Sequence, residues 1–387
     1  MEPEPHKAPI RFYEIDLLRF LAALSVVLYH YTYQGYIVGD NSIQFVSLGS
    51  ITKYFYLGVE LFFIISGYVV LLSAQGKSVR QFFFSRVTRL YPAFWVCCTL
   101  TFLVKRLWGP GPGDTHMASH LQAGFGQYLY NMTMLHEFLG VPPIDGPYWS
   151  LTVEITFYFL ISLLISYKLM KQVDWFMLGW LGYAMLPKLP HLGTPFSTLF
   201  FPSYAPYFIA GMLFYLMQRP QGRSRFRYAL LALTYIAAIR SSFNQVAEIE
   251  VFHHVVFSRL VVGSIVTSFF ITFYLVAFQK INLVRFTWLS WLGALTYPLY
   301  LIHSDIGYIV FHHIGPLVDK YMLVSGTLLL MLLVAYLVHV LVEKRFGKAL
   351  GIQLNKWAAK MEQNAGSGLP EKQEQNPKPV LVNTDAV

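Results

Sequence analysis

Charged side chains are scarce in this sequence. Asp, Glu, Lys and Arg make up only 13% of its 387 residues, about half of the roughly 25% found in soluble domains. Hydrophobic residues account for 55% and aromatic residues for 17%, which is more apolar surface than a soluble fold can hide. The same composition excludes intrinsic disorder. We therefore predict an all-α fold, a polytopic transmembrane helical bundle.

Cysteine is equally scarce. The two cysteines, Cys97 and Cys98, are adjacent within one apolar stretch, and neighbours in a helix cannot readily bridge each other. This excludes a disulfide scaffold. We expect both cysteines to be small, buried residues that pack among apolar side chains. His116 and His120 have a helix-compatible metal spacing, but no convincing third ligand accompanies them, so we expect no metal site.

Apolar windows of about 20 residues predict ten membrane spans. They cover residues 13–33, 55–73, 90–107, 148–167, 174–189, 198–217, 227–240, 255–279, 286–311 and 321–342. Asp16 and Arg19 interrupt the first window, and no small-residue cleavage pattern follows His30. We interpret this window as a transmembrane helix rather than a cleaved export signal.

The distribution of basic residues predicts the orientation. With the N-terminus inside, the inner segments carry 17 Lys and Arg before the distal tail, and the outer segments carry six. This is the positive-inside asymmetry, so we expect both termini to be cytoplasmic. Because the basic residues lie in short clusters between apolar segments, they do not indicate nucleic-acid binding. We expect residues 1–345 to form the membrane domain and residues 346–387 to form a polar, disordered tail.

Ionisable residues inside predicted spans are costly and are therefore candidates for function. Arg19 and His30 lie 11 residues apart, which places them on one helix face about 16 Å from each other. A purely structural interpretation of Arg19 is pairing with Asp16, one turn earlier. The other candidates of this kind are Glu60, Glu154, Arg259, His303, Asp305 and His339.

Four of these residues are predicted at one depth. His30, Glu60, Glu154 and His303 each fall in the outer half of a different span, which predicts a polar chamber there. A histidine beside carboxylates can take a proton from a hydroxyl, which suits acyl transfer. It also suits a proton relay in a transporter, so these residues alone leave both functions open.

Five short sequence motifs help to choose between acyl transfer and transport. They are RFYEIDLLRFLAALSVVLYH from residue 11, GVELFFIISGYVV from residue 58, SRVTRLYPAFW from residue 85 in a predicted inner loop, GPYWSLTVEITFYF from residue 146, and LTYPLYLIH from residue 295. In this order they resemble the acyltransferase 3 family of bacterial integral-membrane acyltransferases, over about residues 11–345. That family includes enzymes that O-acylate surface polysaccharides, nodulation factors and macrolides.

The resemblance implies roles for the first and third motifs. His30 would be the catalytic residue, as general base or acyl carrier, within an essential Arg-x10-His pair that includes Arg19. Arg86 and Arg89 would contact the acyl-CoA donor from the cytoplasm, aided by Arg19, because guanidinium groups suit the phosphates of CoA. The alternative for these two arginines is that they only set the topology.

The remaining motif residues are expected to support the reaction. Ser66 would belong to a segment of close helix approach, with Glu60 nearby as a further polar residue. Glu154, the acidic position of the fourth motif, would orient or charge-stabilise His30. His303 or Tyr297 would serve as an oxyanion partner.

The sequence thus predicts an O-acyltransferase of the bacterial inner membrane. It would move an acyl group, with acetyl expected, from cytoplasmic acyl-CoA to a hydroxyl of a surface glycan or its lipid-linked precursor. No permanently bound cofactor is expected. A different class of protein, a transporter that exports a small metabolite or sugar derivative, would need no CoA-phosphate site. The third hypothesis is an acyltransferase that acts on a small hydrophobic product or on a lipid.

Overall fold

The computed structural model describes residues 12–111, 114, 117–186 and 196–366. These residues form helices and connecting turns without any strand, so the all-α prediction is confirmed. The principal helices are α1 (Tyr13–Tyr29), α2 (Val46–Thr52), α3 (Gly58–Ala74), α4 (Val79–Trp108), α5 (Phe125–Asn131), α6 (Trp149–Ser166), α7 (Val173–Met185), α8 (Ala205–Met217), α9 (Arg225–His253), α10 (Arg259–Ala277), α11 (Leu289–Ile302), α12 (Ser304–Ile314), α13 (Lys320–Val338) and α14 (Lys344–Gly366).

The helices agree with a multi-span membrane architecture. Each of the ten predicted spans overlaps a helix, although α7 and α8 have only 13 residues each and α11 has 14. The count of ten and the orientation of the termini stay predictions. By length and composition, seven helical segments of the described chain could cross a membrane: Tyr13–Ile37, Val46–Ala74, Val79–Trp108, Gly146–Ser166, Ser197–Met217, Arg259–Ala277 and Lys320–Met361.

Helix α4 begins earlier than the sequence predicts. The backbone N–H of Gln81 donates to Ser78 Oγ at 3.3 Å, and the backbone N–H of Ser78 donates to Gln81 Oε1 at 3.0 Å. This capping box starts a helix of 30 residues that continues through Pro92. The prediction of an inner loop at residues 85–95 is therefore wrong, and Arg86 and Arg89 lie on a helix.

The segment after residue 345 also differs from the prediction. Residues 346–366 belong to helix α14 and are not disordered, while residues 367–387 lie outside the described residues. Gly347 and Gly351 of this helix face Thr88 of α4, with no larger side chain between the two backbones. The α14 helix thus packs against α4 between Arg86 and Arg89.

Helices α3 and α8 make the closest packing in the core. A Cβ atom at Gly67 would collide with the backbone of Phe208, and one at Gly211 would collide with the carbonyl of Ile64. The rings of Phe63 and Phe208 stack beside these glycines with centroids 4.8 Å apart. Small residues at a helix interface allow this approach in a membrane protein, and the pair forms the wall against which α1 and α6 pack.

Replacing one of these glycines should destabilise the bundle. We expect Gly67→Ala to cost about 1–3 kcal/mol, the usual cost of overpacking, because a backbone atom blocks the new methyl group. Gly179→Ala on α7 is the matched control, since a Cβ there meets no atom within 4 Å. Thermal melting in detergent measures the effect. Equal melting temperatures for the two variants would show that the α3–α8 contact does not limit stability.

Candidate active site

Helix α1 ends in a wide turn that begins at His30. Residues His30–Gln34 form a π-helical turn, which is continued by the short helix Gly35–Ile37. The hydroxyl of Tyr29 donates to Gln34 Oε1 at 2.5 Å and so braces the turn. Single π turns within α-helices occur frequently at functional sites, because they present side chains that a regular helix would turn away.

His30 contacts Tyr308 on α12 and His303 at the break between α11 and α12. Its Nδ1 lies 2.7 Å from the hydroxyl oxygen of Tyr308, and its ring centroid lies 5.0 Å from that of His303. Gly35 makes room for this arrangement, since a Cβ atom there would lie 2.6 Å from Cε1 of Tyr308. The sequence analysis missed Tyr308, because a tyrosine in an aromatic-rich span carries no distinctive signal.

His303 occupies the break in the predicted span 286–311. It separates α11 from α12 and is 0% exposed. Its Nδ1 lies 2.8 Å from the backbone oxygen of Tyr300, and its own backbone oxygen accepts a bond from the Tyr31 hydroxyl at 2.8 Å. His30 and His303 thus form a histidine pair whose members come from opposite ends of the chain.

A buried cluster of charges holds α12 in place beside this pair. Lys105 Nζ lies 2.7 Å from Asp305 Oδ2, with both side chains at most 3% exposed, and it also donates to the backbone oxygen of Ile144 at 2.8 Å. The backbone N–H of Asp305 donates to Asp145 Oδ1 at 3.3 Å. Burial, together with the negative charge of Asp305, raises the pKa of Asp145 well above its usual range.

Asp40 adds a third carboxyl group near the Lys105–Asp305 pair. It lies in the connection between Ile37 and Val46, and the pKa of its carboxyl is raised to about 6 by burial, against the opposing effect of His120. Nε2 of His120 lies 3.4 Å from Asp40 Oδ1. His116, the other histidine of the predicted spacing, lies outside the described residues, and the described part of the chain holds no group of three metal-ligating side chains.

A cavity lies in the middle of the bundle. We call it the arginine cavity, because two guanidinium groups lie at one end of it. Along α6 its lining extends from Ser150 to Tyr158, a length of about 12 Å at 1.5 Å per residue. Five of the predicted site residues line it: Arg19, Ser66, Arg89, Glu154 and Tyr297.

Glu154 lies in the arginine cavity but does not orient His30. Its Oε1 accepts bonds from the Ser66 hydroxyl at 2.7 Å and from the Tyr158 hydroxyl at 2.6 Å, and it interacts electrostatically with Arg19. The expectation that Glu154 orients His30 is wrong, because the bonds found for its carboxylate among the described residues go to Ser66 and Tyr158 and not to His30. Tyr308 takes that place on the histidine.

The two motif arginines differ in their surroundings. Arg89 is exposed and lines the cavity, which opens there. Arg86 is 8% exposed, and its guanidinium lies 5.6 Å from the ring centroids of both Phe82 and Tyr158. Two arginines three residues apart on a helix share a face only in part, so a motif that the sequence treats as one unit has one member in the cavity and one packed behind it.

Glu60 and Tyr297 complete the predicted set. Glu60 is 1% exposed and lies near a group of tyrosines that includes Tyr29 and Tyr56, apart from Glu154. Tyr297 donates to the backbone oxygen of Leu90 at 3.3 Å. The single chamber expected from equal depths is therefore two regions, the arginine cavity and the histidine pair.

Tyr300 lies between these two regions. Its ring lines the arginine cavity and lies 5.5 Å from the ring of His303. Its hydroxyl is 2.7 Å from Ser150 Oγ, and its other face meets Phe62 at 5.6 Å. One side chain thus separates the cavity that holds the arginines from the pair that holds His30.

A comparison of the sequence with known protein families identifies the family of this chain. The model of a family described as an acyltransferase domain matches residues 12–342, a range that contains the arginine cavity, the charge cluster and the histidine pair. The chain belongs to the acyltransferase 3 family. As a member of this family with several apolar helices, it is a multi-pass membrane protein.

Three similar bacterial proteins carry acyltransferase names. The acyltransferase MdmB of Streptomyces mycarofaciens is 28% identical over 51% of this chain and 49% of its own length. The peptidoglycan O-acetyltransferase OatA of Listeria monocytogenes is 27% identical over 38% of this chain and 23% of its own. The O-acetyltransferase OatA of Staphylococcus aureus is 29% identical over 40% of this chain and 25% of its own length. The chain therefore matches at most about half the length of these curated relatives. No solved structure matches the chain.

The two ionisable residues without an assigned role both have partners. Arg259 Nη2 lies 2.6 Å from Glu250 Oε2 and joins α10 to the end of α9. His339 Nδ1 lies 2.6 Å from Glu343 Oε2, within a second π-helical turn between α13 and α14. Pairing between or along helices thus accounts for both residues.

Removing the lysine of the charge cluster should destabilise this acyltransferase 3 member strongly. We expect Lys105→Met to cost about 3–5 kcal/mol, because Asp305 is left buried without its cation. The double variant Lys105→Met/Asp305→Asn should recover part of that loss. The measurement is thermal melting in detergent, with Arg106→Met as the exposed neighbouring control. A Lys105→Met protein that melts together with Arg106→Met would contradict the assignment.

Proposed function

We propose that this acyltransferase 3 member transfers an acyl group, with acetyl as the expected group, from cytoplasmic acyl-CoA to a hydroxyl. The acceptor would be a sugar of a surface glycan or of its lipid-linked precursor. The observation that carries the proposal is the position of the arginine cavity: it opens at Arg89, contains Arg19, and ends one side chain short of the histidine pair.

The cationic end of the cavity suits the donor. CoA carries phosphates at one end and a thioester at the end of a long pantetheine arm. Guanidinium groups bind phosphates through charge-assisted hydrogen bonds, and Arg89 and Arg19 are available at the cavity mouth and wall. Arg86, packed between Phe82 and Tyr158, would hold the helix rather than the ligand.

The opposite end of the cavity suits the chemistry. A pantetheine arm that extends along the lining reaches Tyr300, and a turn of that side chain would admit the thioester to His30. His30 then acts as general base for the acceptor hydroxyl, or carries the acyl group briefly. Because His30 is partly buried, the access of water that would hydrolyse the thioester is limited.

The location and the acceptor follow from two further observations. The excess of basic residues on one set of loops supports cytoplasmic termini and a bacterial inner-membrane location, so that Arg89 faces the compartment that contains CoA. Two of the similar proteins are named as O-acetyltransferases, one of them for peptidoglycan. These names support a glycan as the acceptor.

Removing the imidazole of His30 should abolish transfer. We expect His30→Ala to lower the acetate ester content of the envelope glycan at least 100-fold, because general-base or nucleophilic catalysis typically contributes that factor or more. His313→Ala is the control, since His313 is exposed on α12 and lies outside the arginine cavity. Base-released acetate from cells producing each variant provides the measurement. Full acetylation with His30→Ala would end the proposal.

Neutralising Arg89 should weaken donor binding. We expect Arg89→Gln to raise the KM for acetyl-CoA about 10–100-fold, the equivalent of one lost charged hydrogen bond, with a smaller effect on kcat. Arg285→Gln, an exposed arginine after α10, serves as the control for net charge. Purified protein in lipid nanodiscs permits the assay. An unchanged KM in Arg89→Gln would contradict the role of Arg89 in donor binding, and a wild type that does not bind acetyl-CoA would favour a transporter.

A further inference from the structure

The hydrogen bond of His303 fixes where its proton lies. Nδ1 of His303 is 2.8 Å from the backbone oxygen of Tyr300, and a carbonyl oxygen can only accept. Nδ1 must therefore carry hydrogen. A neutral imidazole has one N–H, so the lone pair of neutral His303 is on Nε2.

This Nε2 atom has no hydrogen-bond partner. His303 is 0% exposed, and Nε2 is one of the buried polar atoms that no described residue satisfies. Buried polar atoms in folded proteins are nearly always paired, because leaving one unpaired costs free energy. An unpaired acceptor whose ring lies 5.0 Å from that of His30 is thus a place for the proton of an incoming hydroxyl.

The same atom cannot stabilise an oxyanion. A hydrogen-bond donor is required there, whereas Nε2 of neutral His303 only accepts. The oxyanion role expected for His303 from the sequence is therefore incompatible with its bond to Tyr300. A role as proton acceptor is compatible with it.

We propose that His303 is a second catalytic residue, the general base for the acceptor hydroxyl, and that His30 carries the acyl group. This inference rests on the proposed acyl transfer and assigns its two catalytic roles, general base and acyl carrier, to different histidines. The bond from Tyr31 to the backbone of His303 and the ion pair of Lys105 with Asp305 keep the base in position.

Two steps describe the reaction. In the first, Nε2 of His30 attacks the thioester carbonyl carbon; a C–N bond forms, the C–S bond breaks, and CoA leaves as the thiolate. Nδ1–H of His30 donates to the oxygen of Tyr308 and so supports the positive charge of the acylated ring. In the second, the acceptor oxygen attacks the acyl carbon while its proton passes to Nε2 of His303. A C–O bond forms, the C–N bond breaks, and its electron pair returns to His30.

The proton that His303 takes from the acceptor hydroxyl leaves His303 at the end of the reaction. The imidazolium of His303 gives its proton to the CoA thiolate or to water in exchange with it, and the neutral tautomer is restored. The net change is thioester plus alcohol to ester plus thiol. No oxidant, metal ion or further reactant is needed.

The variant His303→Asn separates the two steps. An asparagine amide can still donate to the Tyr300 carbonyl, but it cannot take a proton. Purified protein in nanodiscs is mixed with one equivalent of acetyl-CoA; CoA release is followed with a thiol reagent, and acetylation of the protein is followed by intact mass. Transfer is measured as base-released acetate on the envelope glycan of cells producing the variant.

We expect His303→Asn to release CoA and to become acetylated at a rate within about threefold of the wild type, with acetylation lost when His30→Ala is added. Transfer to glycan should fall at least 100-fold, the factor typical of a lost general base. Transfer at the wild-type level would overturn the inference. So would loss of self-acetylation in a variant that melts like the wild type, because the base would then act on the donor step.

Further measurements distinguish a failure of this inference from a failure of the proposed function. If His303→Asn does not accumulate, His303→Gln replaces it and is judged by the same two outcomes. A wild-type protein that neither releases CoA nor becomes acetylated, while the cells still acetylate glycan, would overturn the covalent role of His30. A wild type that does neither and supports no glycan acetylation would overturn acyl transfer itself.

Discussion

Lys105 and Asp305 meet in the interior of the bundle, and the geometry of the site depends on their attraction. Taking either charge out of water is costly, and the cost is offset only when the partner and additional hydrogen bonds are in place. The carbonyl of Ile144 and the carboxyl of Asp145 complete that set. Asp305 follows His303 by two residues, so the ion pair that links α4 to α12 also fixes the break in which His303 lies.

The interior charges of this protein are arranged in an order along the bundle. Arg19, Arg89 and Glu154 line one cavity, the histidine pair lies beyond Tyr300, and the lysine–aspartate pair lies behind the histidines. A membrane interior tolerates such residues where they pair or line a cavity. The order from cations to imidazoles corresponds to the order of parts in an acyl-CoA molecule, from phosphates to thioester.

The sequence was sufficient for the all-α fold class and named five of the residues that line the arginine cavity, but it did not predict their contacts. Every apolar window overlaps a helix of the structure, and the cost of burying charge pointed to Arg19, His30, Glu154 and His303. Tyr308 was missed because hydrophobic periodicity treats tyrosine as packing. Lys105 was not among the candidates, because it lies near the end of α4 and its partner Asp305 is 200 residues away in the chain. Glu154 was placed beside His30 because depth along a helix fixes height only, whereas lateral position depends on how helices pack.

The π-helical turn at His30 has a consequence for reading related sequences. A π turn holds one residue more than an α turn, so every side chain after it is rotated by about 100° relative to a regular helix. The spacing between Arg19 and His30 is measured before the extra residue and is unaffected by it. A relative that lacks the extra residue would keep both motif positions and yet turn a different side chain toward the place that Gly35 leaves open for Tyr308. Positions on the far side of His30 are therefore comparable between relatives only after allowing for a one-residue offset.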